Sequence, residues 1–263
     1  WVFTTFFGQQ GHLAVLKGTA NGQFAAPTDH PLVPAAEGIA LGEFNGANHD
    51  DLVFAQGRAH LVPSDAAGAL NFAGSQELLP TGNATGLVEF ADLNGDGKKD
   101  LIRLGELLST HTHNDPDLTA DFSLNAGFGS ASIMELGDFD ADGKADLFVS
   151  GYSGFVQIFP GNGDLTFDPP FQAVSGRMVG SIPQFAVADL DGDGRSEIVM
   201  PDASARRVLV LLWNATRRSY DLMHETPLSI RAFAARITDT NGDGIPDLVL
   251  LGEDGAIEVV PGR

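Results

Sequence analysis

The stretch Ala91-Asp92-Leu93-Asn94-Gly95-Asp96-Gly97-Lys98-Lys99-Asp100-Leu101-Ile102 places alternating oxygen-bearing side chains on a glycine-rich backbone, between two apolar runs. It recurs as Gly137-Asp138-Phe139-Asp140-Ala141-Asp142-Gly143-Lys144-Ala145-Asp146-Leu147, as Ala188-Asp189-Leu190-Asp191-Gly192-Asp193-Gly194-Arg195-Ser196-Glu197-Ile198 and as Thr238-Asp239-Thr240-Asn241-Gly242-Asp243-Gly244-Ile245-Pro246-Asp247-Leu248. A degenerate copy, Glu43-Phe44-Asn45-Gly46-Ala47-Asn48-His49-Asp50-Asp51, stands upstream. The first acids are Glu43, Asp92, Asp138, Asp189 and Asp239, so successive spacings are 49, 46, 51 and 50 residues. A period of about 50 is that of a four-stranded propeller blade.

The flanks read as strands. Leu87–Phe90, Ile133–Leu136, Phe185–Val187 and Ala235–Ile237 precede the loops, and Leu101–Ile102, Leu147–Val149, Ile198–Met200 and Leu248–Leu251 follow them. Short Val/Ile/Leu/Phe runs bounded by Gly and Asp are strand signals, so each phrase is a hairpin. A third run follows, such as Phe155–Phe159 or Val208–Trp213, and then a turn and a fourth, such as Gly161–Asp164 leading into Leu165–Phe167. The expected fold is all-β: one propeller over residues 1–263 with about six four-stranded blades, or part of a seven-bladed ring. Residues 1–37 form an incomplete N-terminal blade, and residues 38–263 form five motif-bearing blades, the last incomplete.

Counting the first acid as position 1, the predicted ligands of the four full loops are Asp92, Asn94, Asp96, Lys98 and Asp100; Asp138, Asp140, Asp142, Lys144 and Asp146; Asp189, Asp191, Asp193, Arg195 and Glu197; and Asp239, Asn241, Asp243, Ile245 and Asp247. Position 7 would contribute its backbone carbonyl. Oxygen-only donors at this density suit a hard cation, calcium before magnesium. Zinc would require His or Cys. An EF-hand also begins Asp-x-Asp-x-Asp-Gly, but it needs Glu at position 12 and flanking helices. Position 12 here is Arg103, Val149, Met200 or Leu250, inside predicted strands. About four calcium ions are therefore expected. The third and fourth loops, with four acids each, are expected to bind most tightly, and the first, with Ala47 at position 5, weakly or not at all.

The formal net charge of −20 disfavours nucleic acid and anionic lipid as partners. No run of 18 apolar residues occurs, so no spanning helix is expected. There are no cysteines, which excludes disulfides and thiolate chemistry. The opening Trp1-Val2-Phe3 reads as a processed product or a fragment. Neither a Gly-x-Ser-x-Gly elbow nor a phosphate-cradling Gly-x-x-x-x-Gly-Lys is present, and the carboxylate pairs are accounted for by the loops, so no enzyme is expected. His111, His113, Asp115 and Asp117 suggest a second metal site, with a solvated insertion as the favoured reading. Trp1, Tyr152, Trp213 and Tyr220 are candidate sugar-stacking residues, of which Trp213 reads as a packing residue and Tyr152 as the better exposed. Asn83-Ala84-Thr85 and Asn214-Ala215-Thr216 match the glycosylation pattern at a frequency close to chance.

The repeated phrase resembles the FG-GAP/VCBS repeat of integrin α-chain propellers and bacterial surface proteins, and it is similar to the repeats of some fungal propeller lectins. The resemblance covers about residues 38–260, although the Phe-Gly and Gly-Ala-Pro words of the repeat are poorly kept. It implies a calcium loop between the first two strands of each blade, on one face of the disc. It also implies ligand recognition on the opposite face, as in integrins, or between blades, as in the lectins. The resulting expectation is a non-catalytic, calcium-stabilised adhesion or recognition module for protein or carbohydrate, placed extracellularly, at the cell surface or in the periplasm. The alternatives are a structural subunit of a larger assembly and a targeting domain of a polysaccharide-active enzyme.

Overall fold

The computed structural model describes residues 2–7, 10–16, 18–19, 23–32, 38–55, 58–78, 84–105, 107–115, 117–125, 131–151, 156–172, 184–214, 216 and 219–262. These residues form six antiparallel sheets. The first has three strands: β1 (Val2–Phe7), β2 (Gln10–Val15) and β3 (Thr28–Leu32). Three four-stranded sheets follow in chain order: β4 (Gly38–Gly42) to β7 (Gln76–Glu77), β8 (Ala84–Ala91) to β11 (Phe122–Asn125), and β12 (Ala131–Gly137) to β15 (Phe171–Gln172). The fifth sheet runs β16 (Ala186–Ala188), β17 (Glu197–Asp202), β18 (Arg207–Asn214), β19 (Ser219–Pro227). The last has β20 (Ala232–Thr238), β21 (Asp247–Gly252) and β22 (Ile257–Val260). Among the described residues, the strands of each sheet are ordered as in the chain, which gives the meander of a propeller blade. Among the described residues no helix is long and apolar enough to cross a membrane.

Each acidic phrase joins the first two strands of its sheet. Its final acid opens the second strand and pairs with the residue before its first acid: Gly42 with Asp51, Ala91 with Asp100, Gly137 with Asp146, Ala188 with Glu197, Thr238 with Asp247. Leu147, Phe148 and Val149, successive residues of one strand, are all fully buried. Alternation would expose one of them if the sheet met solvent on one face. The fifth sheet is covered on each face by a neighbouring sheet. Phe148 and Ile158 pack on Ile198 and Leu211 of the next sheet. On that sheet's other face, Val199 and Val208 pack on Ala235 and Leu250. A side chain of this size contributes roughly 1.5–3 kcal/mol when fully buried.

The chain divides into two compact units, Trp1–Asp92 with Asp96–Gly129, and Leu93–Gly95 with Ser130–Arg263. In the first, Phe44, Val53, Leu61, Phe90 and Leu101 form one core cluster, and Leu13, Leu52, Phe54 and Val62 another. The cores described above for Phe148 and Val199 lie in the second.

One strand expectation is corrected. Leu165–Phe167, predicted as a fourth strand, forms a tight loop with Leu165 at φ 73°, closed by the bridge between Gly161 and Phe167. Asp164 holds it by accepting the Thr166 N–H at 3.1 Å. The fourth strand is instead Phe171–Gln172. Apolar content alone does not separate the two segments, and the Asn162-Gly163-Asp164 turn extends one residue into the apolar run.

Candidate metal centre

The acids first shape their own loops. At position 1, Asp138 accepts the Ala141 N–H at 2.7 Å and the Gly143 N–H at 2.8 Å on its two oxygens. Asp189 does the same for Gly192 and Gly194, and Asp239 for Gly242 and Gly244. In the second loop Asp92 accepts from Asp96 and Gly97. At position 3, Asp140, Asp191 and Asn241 accept the N–H two residues on. At position 5, Asp96, Asp142, Asp193 and Asp243 accept from Lys98, Lys144, Arg195 and Ile245, the residues predicted to offer carbonyls. The bonds of positions 3 and 5 are Asx turns in series, and together with those of position 1 they curl the chain. The curl needs positive φ at position 6, met by Gly97, Gly143, Gly194 and Gly244 at 82°, 83°, 89° and 84°.

Position 9 has a second role that sequence reasoning missed. Asp51, Asp100, Asp146, Glu197 and Asp247 are all buried, at 0–2% exposure. Asp146 accepts the Phe139 N–H at 2.8 Å with one oxygen and the Gly161 N–H at 2.7 Å with the other. It thus ties its own loop to the turn after the third strand. Asp51 ties Phe44 to Ser64 and Asp247 ties Thr240 to Gly262 in the same way. Asp100 accepts from His113 and Glu197 from Leu190. Presence of an acid at position 9 even in the degenerate first copy was the available signal, because a residue kept only for a cation has no reason to persist there.

The donors on position 9 differ in number, and this grades the loops. Among the described residues, Asp51 accepts from Phe44 N, Asn45 N, Asn45 Nδ2 and Ser64 N. Asp247 accepts from Thr240 N, Thr240 Oγ1 and Gly262 N. Asp146 has the two bonds described above, and Glu197 the single one from Leu190 at 2.7 Å. The carboxyl groups respond accordingly. The Thr240 hydroxyl and the two N–H groups hold Asp247 below its ordinary range. Burial pushes Asp146 up to about 6 against its two N–H bonds, with Asp140 and Asp138 adding repulsion. Burial pushes Glu197 up to about 7, with Asp191, Asp193 and Asp189 adding theirs.

Among the first, third, fourth and fifth loops, the two with the fewest donors on position 9 are also those that gather their oxygens. Asp138, Asp140 and Asp146 each bring a carboxylate oxygen within 4.8 Å of the others, and Asp189, Asp191 and Glu197 do the same. Ligands at about 2.3–2.6 Å from one calcium ion lie at most about 5 Å apart, so both sets fit such a cation. Asp142 and Asp193 at position 5 are not in these groups, and Asp142 pairs with Lys144 Nζ at 2.8 Å. Asp92, Asp96 and Asp100, and likewise Asp239, Asp243 and Asp247, are not gathered in this way.

The first loop satisfies itself. Asn45 Nδ2 donates to Asp51 Oδ1 and to the Ser64 carbonyl, and His113 Nε2 lies 3.5 Å from Glu43 Oε2. This corrects the reading of the His111–Asp117 segment as a solvated insertion. His111 ends β10 (Leu107–His111) and is fully buried, His113 has a side chain 7% exposed, and Asn114 N donates to the Phe44 carbonyl at 2.7 Å. Burial, with Arg103 adding its charge, lowers His111 to about 4. Tyr220, a candidate for sugar stacking, is instead 1% exposed and donates to the Ser196 carbonyl at 2.8 Å. Trp213 is half-buried and packs edge-on against Phe171 and Tyr220. Trp1, Tyr152 and Asn83 lie outside the described residues.

The model of the FG-GAP-like repeat family matches residues 43–102 and 138–200, the stretches that carry the first to fourth loops. Among solved structures, a lectin of Agrocybe aegerita, described as recognising non-reducing terminal N-acetylglucosamine, is similar over 95% of this chain and 71% of its own, at TM-score 0.62 and 19% identity. BBS1N, in complex with ARL6DN, is similar over 98% and 76%, at TM-score 0.56 and 16% identity. The Dos1 propeller is similar over 95% and 62%, at TM-score 0.54 and 11% identity. Hairpins closed by acidic loops, four-stranded meanders and these likenesses agree: the chain is a β-propeller that carries FG-GAP-like repeats over residues 43–102 and 138–200.

Proposed function

We propose that the chain is a non-catalytic extracellular binding module whose blades are braced by calcium, chiefly at the third and fourth loops, and which recognises a glycan or a protein. The observation that carries the calcium reading is the uneven compensation of position 9. Where protein donors are many, as at Asp51, the acids are few. Where donors are few, as at Glu197, four acids crowd together and three of them converge. Converging carboxylates with few donors repel one another, and a divalent cation relieves that repulsion. Extracellular modules bind calcium at roughly 10⁻⁴–10⁻³ M, a range that suits loops of this charge exposed at hairpin tips.

The recognition reading rests on the neighbours. A lectin and a propeller in complex with a protein share the fold. The non-catalytic reading is supported by the position-9 carboxylates, which are buried and bonded to backbone N–H groups. A melting curve with calcium and with EGTA tests the first part, and a rise of several degrees with calcium is expected. A glycan array that includes terminal N-acetylglucosamine, run in both conditions, tests the second. Calcium-dependent hits support the lectin reading, and a silent array moves the assignment to a protein partner. Turnover on any polysaccharide would overturn the non-catalytic reading.

A further inference from the structure

We infer that the third and fourth loops take up their cations as a coupled pair, joined by a bridge from Arg195 and Ser196 to Asp138 and Phe139. The inference rests on the reading above, that both loops bind calcium. Ser196 N donates to the Asp138 carbonyl at 2.6 Å, and Arg195 Nη1 donates to the Phe139 carbonyl at 3.2 Å. Tyr220 Oη donates to the Ser196 carbonyl at 2.8 Å and lies 3.5 Å from the Phe139 carbonyl. The approach is close: a Cβ at Gly137 would lie 2.6 Å from Ser196 Oγ. All these residues belong to one compact unit.

The bridge joins ligand-bearing residues on both sides. Asp138 offers a carboxylate oxygen to the third loop while its own carbonyl is held by the fourth. Arg195 and Ser196 are positions 7 and 8 of the fourth loop and run directly into Glu197. Ordering the fourth loop around a cation fixes this segment and with it the backbone of Asp138 and Phe139. Conformational freedom lost at the first binding event is then not lost again at the second, which makes the coupling positive. The Arg195 charge also acts on Asp140. That charge is present whether the fourth loop is filled or empty, so it lowers affinity at the third loop without entering the coupling. The fifth loop has Pro246 at position 8, which has no N–H, and cannot make the same bond.

The test is a calcium titration of the full chain by NMR, following the Gly143 and Gly194 amides, which donate to Asp138 and Asp189 and so report each loop separately. Asp191→Asn, which weakens the fourth loop, is expected to lower affinity at the third about fivefold or more, and Asp140→Asn to lower affinity at the fourth by the same factor, as reciprocity requires. In Ser196→Pro, and in Arg195→Met/Tyr220→Phe should the proline variant not fold, both factors are expected to fall towards one. An unchanged third-loop affinity in Asp191→Asn, or full coupling in the bridge variants, overturns the inference and leaves the calcium reading standing. Failure of both amides to shift with calcium in the unsubstituted protein overturns the two together.

Discussion

Asn45 Nδ2 stands 2.8 Å from Asp51 Oδ1 and 3.0 Å from the Ser64 carbonyl, so a side-chain amide supplies donors inside the one acidic loop that lacks a position-5 acid. The sheet from β4 to β7 thus keeps the clasp between loop and far turn through protein donors. Replacing Asn45 by Ala removes the amide and leaves a buried carboxylate oxygen with one donor fewer. A loss of about 1–3 kcal/mol is expected, the usual cost of an unsatisfied buried group. Urea denaturation should give the same loss with calcium and with EGTA. A loss seen only in EGTA would mean that this loop also takes up the ion.

Position 9 and position 5 separate by the same logic in the third loop. Asp146 holds Phe139 and Gly161 through both oxygens, whereas Asp142 is partly exposed and paired with Lys144. Asp146→Asn turns an amide group toward a backbone N–H, and stability should fall by about 1–3 kcal/mol with or without calcium. Asp142→Asn should leave the stability in EGTA nearly unchanged and reduce only the gain that calcium brings. Denaturation of both variants in the two conditions distinguishes the roles.

Much of this was legible in the sequence, for a definite reason. The curl of each loop is local: positions 1, 3 and 5 bond N–H groups two to five residues away, and Asp, Asn and Gly in that order encode it. The strands flanking the loops were legible because both faces are buried, which leaves unbroken apolar runs such as Leu147–Val149. The clasp was not legible, because Gly161 lies 15 residues from Asp146 and nothing in its spelling marks an N–H aimed at a carboxylate. Nor was the burial of His111, which depends on β10 ending at that residue, before the chain turns toward the first loop. Leu165–Phe167 misled because Leu-Thr-Phe alternates like a strand, whereas Thr166 bonds Asp164 and closes a turn.

The pH dependence follows from Glu197 and Asp146, raised to about 7 and about 6 by burial and crowding. A carboxyl group whose folded value lies above its unfolded value favours the fold when protonated. That contribution is complete below the unfolded value and is lost as pH rises through the folded one. The ion-free protein therefore gains stability from these groups as pH falls from 8 to 6, while protons displace calcium from the same oxygens. The difference in melting temperature between calcium and EGTA should be largest near pH 8 and shrink by several degrees towards pH 6. His111, lowered to about 4, acts oppositely: its contribution is complete above pH 6.5 and is lost as pH falls towards 4. It acts in both conditions, so it cancels from the difference. Scanning calorimetry at fixed ionic strength reads this directly, and a difference that grows toward low pH would contradict the assignment.

Thr240 offers the converse experiment. Its hydroxyl and N–H both donate to Asp247 Oδ2 while Gly262 N holds Oδ1, so protein donors occupy both oxygens of the fifth loop's position-9 carboxylate. Donors and a cation compete for the same lone pairs, so removing a donor should shift the loop toward the cation. Thr240→Val keeps the shape and the backbone bond and deletes the hydroxyl. Stability in EGTA should drop by about 1 kcal/mol, the net worth of a typical hydrogen bond. Calcium affinity at this loop, followed at the Gly244 amide that donates to Asp239, should rise rather than fall. If the substitution weakened both, the hydroxyl would be supporting the cation site, and donor number at position 9 would not set how strongly each loop calls for calcium.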